Sequence, residues 1–387
     1  MNVTPSIRSK LPQIGTTIFT IMSALAHEVG AINLGQGFPD FDPDPRLLDC
    51  VDAAMRAGHN QYPPMAGNGL LRQRVCEKFE ATQGVRFDPQ SEATITAGAT
   101  QAILSTIMAI VRPGDEVIVL EPAFDSYLPN IALAGGVAVP VALKPGDFRP
   151  DFDAIERALT PSTRLILVNT PHNPSGRIWR RADWERLAEI IAPRDVFVLS
   201  DEVYEHMVYD GEPHVSAAAI AALRERSFVV SSFGKTLHVT GWKLGCVLAP
   251  APLTAEFRKV HQFTVFTANS AMQQGIAEYL ADPTPWRQLP AFYQAKRDRF
   301  LAGLKRTALR PLPCEGSYFV CTRYDDVPRL RDLDERAVCE WLTREIGVAA
   351  IPLSSFYAAP TEQKIIRFCF AKRETTLDEA LARLARL

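Results

Sequence analysis

The chain contains no apolar run long enough to span a bilayer, so no membrane segment is expected. It has no excess of charge of either sign. Its 387 residues carry 42 basic and 44 acidic side chains, a net charge of −2 and a pI near 6.4. Neither nucleic acid nor an anionic membrane is therefore expected as a partner. Cysteines are few and unpatterned: Cys50, Cys76, Cys246, Cys314, Cys321, Cys339 and Cys369 are odd in number and form no CxxC pair. They read as buried, reduced thiols of a cytoplasmic protein, not as a disulfide framework. The seven histidines show no HxH or HxxxH spacing, so no metal site is expected.

A secretion signal and a nucleotide loop are also missing. Arg8 and Lys10 precede "LPQIGTTIFTIMSALA", which imitates a signal peptide, but Pro12, Gln13, Gly15 and three threonines interrupt it. Ile18, Phe19, Ile21, Met22, Leu25 and Val29 instead suit one face of a helix. "SSFGKTLHVTGWKLG" contains Gly-Lys-Thr, yet Val229 stands where a phosphate-binding loop needs its first glycine. In "NLGQGFPD", Gly35 and Gly37 are followed by Asp40 at the third glycine position of a dinucleotide fingerprint, and Pro39 lacks the N–H such a loop would use.

What is present is alternation. From about residue 94 to 250, β-rich runs ("ATITAGA", "DEVIVLEP", "GVAVPVAL", "RLILVNTP", "DVFVLSDEVY", "SFVVSSF", "GCVLAP") are mostly separated by helical patterns, among them 100–111, 151–159 and 181–191. This predicts an α/β fold with a mostly parallel seven-stranded sheet covered on both faces. A long helical pattern follows near 252–280, and Pro283 and Pro285 then punctuate the chain. "GSYFVCTRY", a helix near 335–345, "GVAAIPL", "KIIRFCFAK" and a final helix "TTLDEALARLARL" suggest a smaller α/β unit. The expected division is a large domain at 40–282 and a small domain built from 1–39 and 283–387.

Polar residues follow several of the apolar strands. Asn173 follows "RLILVNTP", Asp201 and Tyr204 follow "VFVLS", Lys235 follows "SFVVSS", and Gly98, Ala99 and Thr100 open a helix after "ATIT". Ligands of open α/β sheets bind at the carboxyl ends of strands. Singly, each residue could be a turn former, a cap or solvated charge. Together they match the needs of pyridoxal phosphate. Its aldehyde needs a lysine amine, its ring nitrogen a carboxylate, its phenolic oxygen hydrogen-bond donors, and its phosphate a helix N-terminus with a cation.

"NTPHNPSG", "SDEVYEH" and "SSFGKTLHVTGWKLG", with "INLGQGFPDF" early and "IRFCFAK" late, resemble the signatures of class I aminotransferases, fold-type-I pyridoxal phosphate enzymes. Within that family the chain looks most similar to the branch of methionine, kynurenine and glutamine transaminases. The resemblance implies that Lys235 is the attachment lysine, that Asp201 pairs with the pyridine nitrogen, and that Asn173 and Tyr204 contact the phenolic oxygen. Gly98, Ala99, Thr100, Ser232 and Lys243 would surround the phosphate. Phe124 would cover the ring, and Tyr62 would be lent to a neighbouring subunit's phosphate site in a homodimer. Gly37 and Arg367 would hold the substrate carboxylate. Gly234 and Gly241 are expected to allow a close backbone approach or a sharp turn. The wider class usually has arginine where Lys243 stands; lysine suits the branch. Thr100 stands where some kynurenine-type members carry tyrosine.

The residues also permit some independent reading. In "KIIRFCFAK", Arg367 shares a strand face with Ile365 and Cys369, so it either meets an anion there or lies solvated on an edge strand. By the resemblance, Phe19 and Phe266 lie at the substrate side-chain pocket, Phe266 from the partner; both also fit helical core stripes. The implied reaction is a ping-pong transfer of an α-amino group from an apolar or aromatic L-amino acid, methionine favoured, to a 2-oxo acid, with Lys235 as general base. A carbon–sulfur β-lyase would use the same lysine. A non-catalytic effector-binding module of this fold is the remaining alternative, and such modules usually carry a DNA-binding domain, which is not expected here.

Overall fold

The computed structural model describes residues 6–387. Seven strands form the large sheet in the spatial order Ala93–Thr96, Gly245–Leu248, Ser227–Ser232, Phe197–Asp201, Thr163–Asn169, Glu116–Glu121, Val137–Ala142. All run parallel except Gly245–Leu248, which is antiparallel to both neighbours. Apolar residues of both parities are buried because each sheet face has its own helical cover. Ile118, Leu120, Ile166, Val168 and Val198 join one core cluster, whereas Val117, Val119, Leu165, Leu167 and Leu199 join another.

The expected helices form at Gly98–Ile110, Phe152–Ala158 and Arg181–Ile191. The pattern near 252–280 is two helices, Ala251–Thr264 and Ser270–Tyr279. Asn269 caps the second by accepting from the Met272 N–H, a local hydrogen bond that favours a new start over continuation. Pro283 and Pro285 do punctuate the chain, at the short turn that follows Tyr279. A 21-residue helix, Thr284–Leu304, starts between them, with proline at its first turn, where no N–H is required.

A second, antiparallel sheet has the order Ile351–Pro352, Ile365–Cys369, Phe319–Arg323, Arg310–Pro311. Arg367 therefore lies on an interior strand, opposite Cys321, and is not an edge residue. Near the N-terminus, Ile32–Asn33 pairs in parallel with Val348–Ala349, which ties the early chain to this late segment. The helix Ile18–Glu28 buries Met22 and Leu25, while Val29 lies just beyond it and is exposed. All seven cysteines are unbonded. Among the described residues, no helix is long and apolar enough to cross a membrane, and no cluster of potential metal ligands occurs.

Candidate active site

The carboxyl ends of four parallel strands converge on a cavity of about 330 Å³. After Thr96 the chain turns directly into the helix Gly98–Ile110, whose N-terminus has no side-chain cap. Gly98, Ala99 and Thr100 line the cavity, with Ser232 and Lys243. Gly98 has φ +78°, a conformation that L side chains resist. Free N–H groups at a helix start, with a lysine and a hydroxyl nearby, make an anion cradle. The sharp backbone in the lysine segment belongs to His238 (φ 59°) and Lys243 (φ 54°), not to its glycines. A Cβ on Gly234 would come within 3.0 Å of Thr240 Cα, so that position is a close approach, whereas a Cβ on Gly241 would meet no protein atom within 4 Å.

Asp201 ends its strand and is buried. Tyr127 donates to its Oδ2 at 2.6 Å, and Asn169 Nδ2 donates to its backbone carbonyl at 2.9 Å. Burial pushes the Asp201 carboxyl up to about 6, against the hydrogen bonds from Tyr127 and the Val203 N–H and the charge of Lys235. A cation against this carboxyl would hold it ionised. Asn169 also accepts the Asn173 N–H at 2.8 Å, which links the two strand ends.

Arg367 is 1% exposed. Its Nη1 donates to Asn173 Oδ1 and its Nη2 to the Gly35 carbonyl, both at 2.7 Å. Its Nε is buried without a partner, and no carboxylate among the described residues forms an ion pair with it. Its guanidinium carbon lies 4.0 Å from the Phe319 ring centroid, 5.0 Å from Phe356 and 5.3 Å from Phe19. A buried guanidinium with a free donor beside an open cavity suits a carboxylate ligand. Gly37 lines the same corner; a Cβ there would fall 2.6 Å from Phe319 Cζ.

Lys235 lies in the short helix Phe233–Thr236, after the strand Ser227–Ser232. Its Nζ donates to Tyr318 Oη at 2.8 Å and to the Gly37 carbonyl at 3.2 Å. Burial depresses its pKa to about 8; Lys243 and Arg367 push the same way, against the Cys369 thiol and Asp201. Tyr204 is buried at the cavity wall, and burial raises its phenol pKa. Phe19 and Phe124 complete the apolar lining.

Most of the residues expected from the sequence thus meet in one cavity: Phe19, Gly37, Gly98, Ala99, Thr100, Phe124, Asn173, Asp201, Tyr204, Ser232, Lys235, Lys243 and Arg367. Tyr62 and Phe266 do not. They pack against each other edge-on at 5.5 Å, 85% and 41% exposed. Three contributors were missed: Tyr127, Asn169 and Tyr318. Tyr127 stands in "EPAFDSY", three residues after Phe124, and Tyr318 in "GSYF". Each could have been marked as an aromatic hydroxyl near a strand end, but nothing in the sequence says what it touches.

A lysine amine of lowered pKa, a buried carboxylate, a helix-start anion cradle and a guanidinium with a free donor define a site for amino-acid chemistry on an aldehyde cofactor. The description "Aminotransferase class I and II" belongs to a family model that matches residues 29–384. The chain belongs to that family. It is 49% identical to the methionine aminotransferase of Escherichia coli K12, over 98% of both chains. A crystal structure of an Escherichia coli protein with a methionine aminotransferase function superposes with a TM-score of 0.97, covering 99% of this chain and all of that one. The probable N-succinyldiaminopimelate aminotransferase of Mycobacterium tuberculosis is 39% identical, over 97% of both chains. Human kynurenine–oxoglutarate transaminase 1 is 35% identical, over 91% of both. The protein is a pyridoxal-phosphate-dependent aminotransferase, and its substrates are an amino acid and an oxo acid.

Proposed function

We propose that this aminotransferase takes its amino group from an apolar L-amino acid, methionine foremost, and passes it to a 2-oxo acid by a ping-pong route. One observation carries this reading: Arg367 opens into a cavity whose neighbouring walls are the rings of Phe19, Phe124 and Phe319. A carboxylate on Arg367 would leave the substrate side chain among aromatic carbons, which favours thioether, aliphatic and aromatic groups over a second carboxylate. Pocket shape separates such side chains by only about 1–3 kcal/mol per methylene, so several donors are expected. The Escherichia coli relative is a methionine aminotransferase, in keeping with this reading.

Bound pyridoxal phosphate makes the α-hydrogen of an amino acid acidic and carries the amino group between the two half-reactions. The chain's own residues would do the rest. Gly98, Ala99, Thr100, Ser232 and Lys243 hold the phosphate, and Asp201 keeps the ring nitrogen protonated. Asn173 and Tyr204 reach the phenolic oxygen, and Phe124 covers the ring. Arg367 and Gly37 orient the substrate carboxylate. Lys235 is the attachment residue, and its freed amine takes the Cα proton; near neutrality its depressed pKa leaves a useful fraction unprotonated. Tyr62 and Phe266, exposed on their own chain, act in the site of a second copy, so the enzyme works as a homodimer. Residues 40–282 form the cofactor domain, and 1–39 with 283–387 the small domain; residues 1–5 lie outside the described part. The pairing of Ile32–Asn33 with Val348–Ala349 supports that division.

The test is a panel of amino donors against several oxo-acid acceptors, scored by kcat/KM. Methionine, phenylalanine and leucine should lead. A preference for aspartate would overturn the apolar-pocket reading. Borohydride reduction and peptide mapping should recover the pyridoxyl group on Lys235, and recovery on Lys243 would overturn that assignment.

A further inference from the structure

Tyr318 lies behind the lysine that faces the cavity. It is fully buried, in the turn that leads into the strand Phe319–Arg323. A phenol has one hydrogen, and this one goes to the Gly37 carbonyl at 2.6 Å. Towards Lys235 the phenol oxygen can therefore only accept, and it does so at 2.8 Å. The same amine reaches the Gly37 carbonyl at 3.2 Å. Because the two acceptors are hydrogen-bonded to each other, they lie side by side as seen from Nζ. Both draw the N–H bonds of the amine to the same flank. Fixing one N–H fixes rotation about Cε–Nζ, so the lone pair of the neutral amine has few directions left.

We propose that Tyr318 is a positioning residue: with the Gly37 carbonyl it clamps the freed Lys235 amine by its N–H side and leaves the lone pair turned to the substrate Cα. In the proton transfer the Cα–H bond breaks and an N–H bond forms on that lone pair. The electron pair left behind stays with the substrate–cofactor system. Tyr318 gives up no proton, and burial keeps its phenol neutral by raising its pKa well above the usual value. The rings of Tyr318 and Tyr204 flank Nζ with centroids 5.4 and 5.6 Å away, so the amine cannot swing freely. The charged or titratable groups that also act on the amine are Lys243, Arg367, Asp201 and Cys369. None of them is among its hydrogen-bond acceptors. This inference rests on Lys235 being the base.

An acceptor stabilises a charged donor more than a neutral one. Removing it should lower the amine's pKa by roughly one pH unit. An unfixed lone pair should slow proton transfer about tenfold to a hundredfold. The experiment uses full-length protein, wild type and Tyr318→Phe, each loaded with pyridoxamine phosphate so that Lys235 is free. The pH dependence of acetic anhydride labelling at Lys235 is read by peptide mapping, with the thermal midpoint as a check of folding. Steady-state kcat and KM for methionine accompany it. The labelling midpoint should move to lower pH and kcat should fall, with KM for methionine within about twofold because Arg367 is untouched. An unchanged labelling midpoint, or a loss confined to KM, would overturn the proposal. Should Tyr318→Phe destabilise the fold, Gly37→Ala, which moves the second acceptor instead, must give the same downward shift, or the clamp is refuted. Lys235→Ala separates the two levels: if it retains full activity, the base assignment has failed, whereas its inactivity beside an unimpaired Tyr318→Phe refutes the clamp alone.

Discussion

Tyr127 donates its phenol hydrogen to Asp201 Oδ2 at 2.6 Å, and both side chains are buried beneath the cavity. The bond favours the ionised carboxyl and offsets part of the burial penalty, which still leaves Asp201 raised to about 6. Tyr127→Phe keeps the ring and removes only this donor. Asp201 would then hold its proton more readily and pair less well with a cationic ring nitrogen. A hydrogen bond to a charged acceptor is worth about 1.5–3 kcal/mol, so the dissociation constant for pyridoxal phosphate should rise at least about tenfold. Absorbance titration of cofactor-free protein measures this, and an unchanged constant would show that the bond does not tune the carboxyl.

Among the described residues Arg367 has no carboxylate ion-pair partner, and its Nε is buried and unbonded. Arg367→Lys preserves the charge but not the planar fork. It cannot bond Asn173, the Gly35 carbonyl and a substrate carboxylate at once. KM for methionine should rise roughly tenfold to a hundredfold, with a smaller change in kcat. Initial rates across a methionine series test it. An equal loss towards amines that lack a carboxylate would contradict the assignment.

These two contacts mark how far the sequence can be read. The strand-end residues Asn173, Asp201 and Lys235 were legible because each follows an apolar run that can only be a buried strand, and the fold brings such ends together. Arg367 was half legible: its parity was clear, but whether its strand lay at an edge depended on long-range pairing with Phe319–Arg323. Tyr127 and Tyr318 were not legible as partners of Asp201 and Lys235, because the contacts span 74 and 83 residues. The break between Thr264 and Ser270 was missed because both helices are amphipathic, and a cap of a single asparagine is a weak signal inside a continuous pattern. Tyr62 and Phe266 are legible only as family positions, since within one chain they do not line the cavity.

Gly98 carries the turn from strand to helix at φ +78°. Gly98→Ala places a Cβ in that conformation at a cost of roughly 1–2 kcal/mol, and the helix start should shift to relieve it. The N–H groups of Ala99 and Thr100 would move with it. Weaker binding of pyridoxal phosphate is expected, and inorganic phosphate should compete less well for the same site. Calorimetric titration of the cofactor-free variant with each ligand tests this. Equal affinities would mean that the helix start does not hold the phosphate.

His172 and His206 are buried, with pKa values depressed to about 4 and about 3, chiefly by desolvation. In the unfolded chain both titrate near 6.5. Between these values the unfolded chain binds more protons than the folded one, so stability rises with pH and is lost as pH falls from about 6.5 towards 4. Glu205, held at about 2 largely by Lys78, extends the loss below the usual carboxylate range as its ion pair is protonated. The His172 contribution alone is on the order of 3 kcal/mol across its window. The thermal midpoint should therefore fall steadily from pH 7 to pH 4.5. A flat profile would mean that these imidazoles find other partners or reach water in the acid-stable fold.

Tyr62 is 85% exposed and Phe266 lies against it, both outside the cavity of their own chain. If a second copy uses them, a site needs Tyr62 from one chain and Lys235 from the other. Lys235→Ala should be inactive, and Tyr62→Ala should bind cofactor poorly. Mixing the two after dissociation and reassociation produces hybrids with one doubly defective site and one intact site. With random pairing about half the dimers are hybrids, so activity should recover to about a quarter of wild type. If Tyr62 served its own chain, neither site of a hybrid would be intact in the wild-type sense: one would lack Lys235 and the other Tyr62. Recovery above the sum of the separate variants is therefore the discriminating result, and its absence in a mixture shown to exchange subunits would return Tyr62 to a purely surface role.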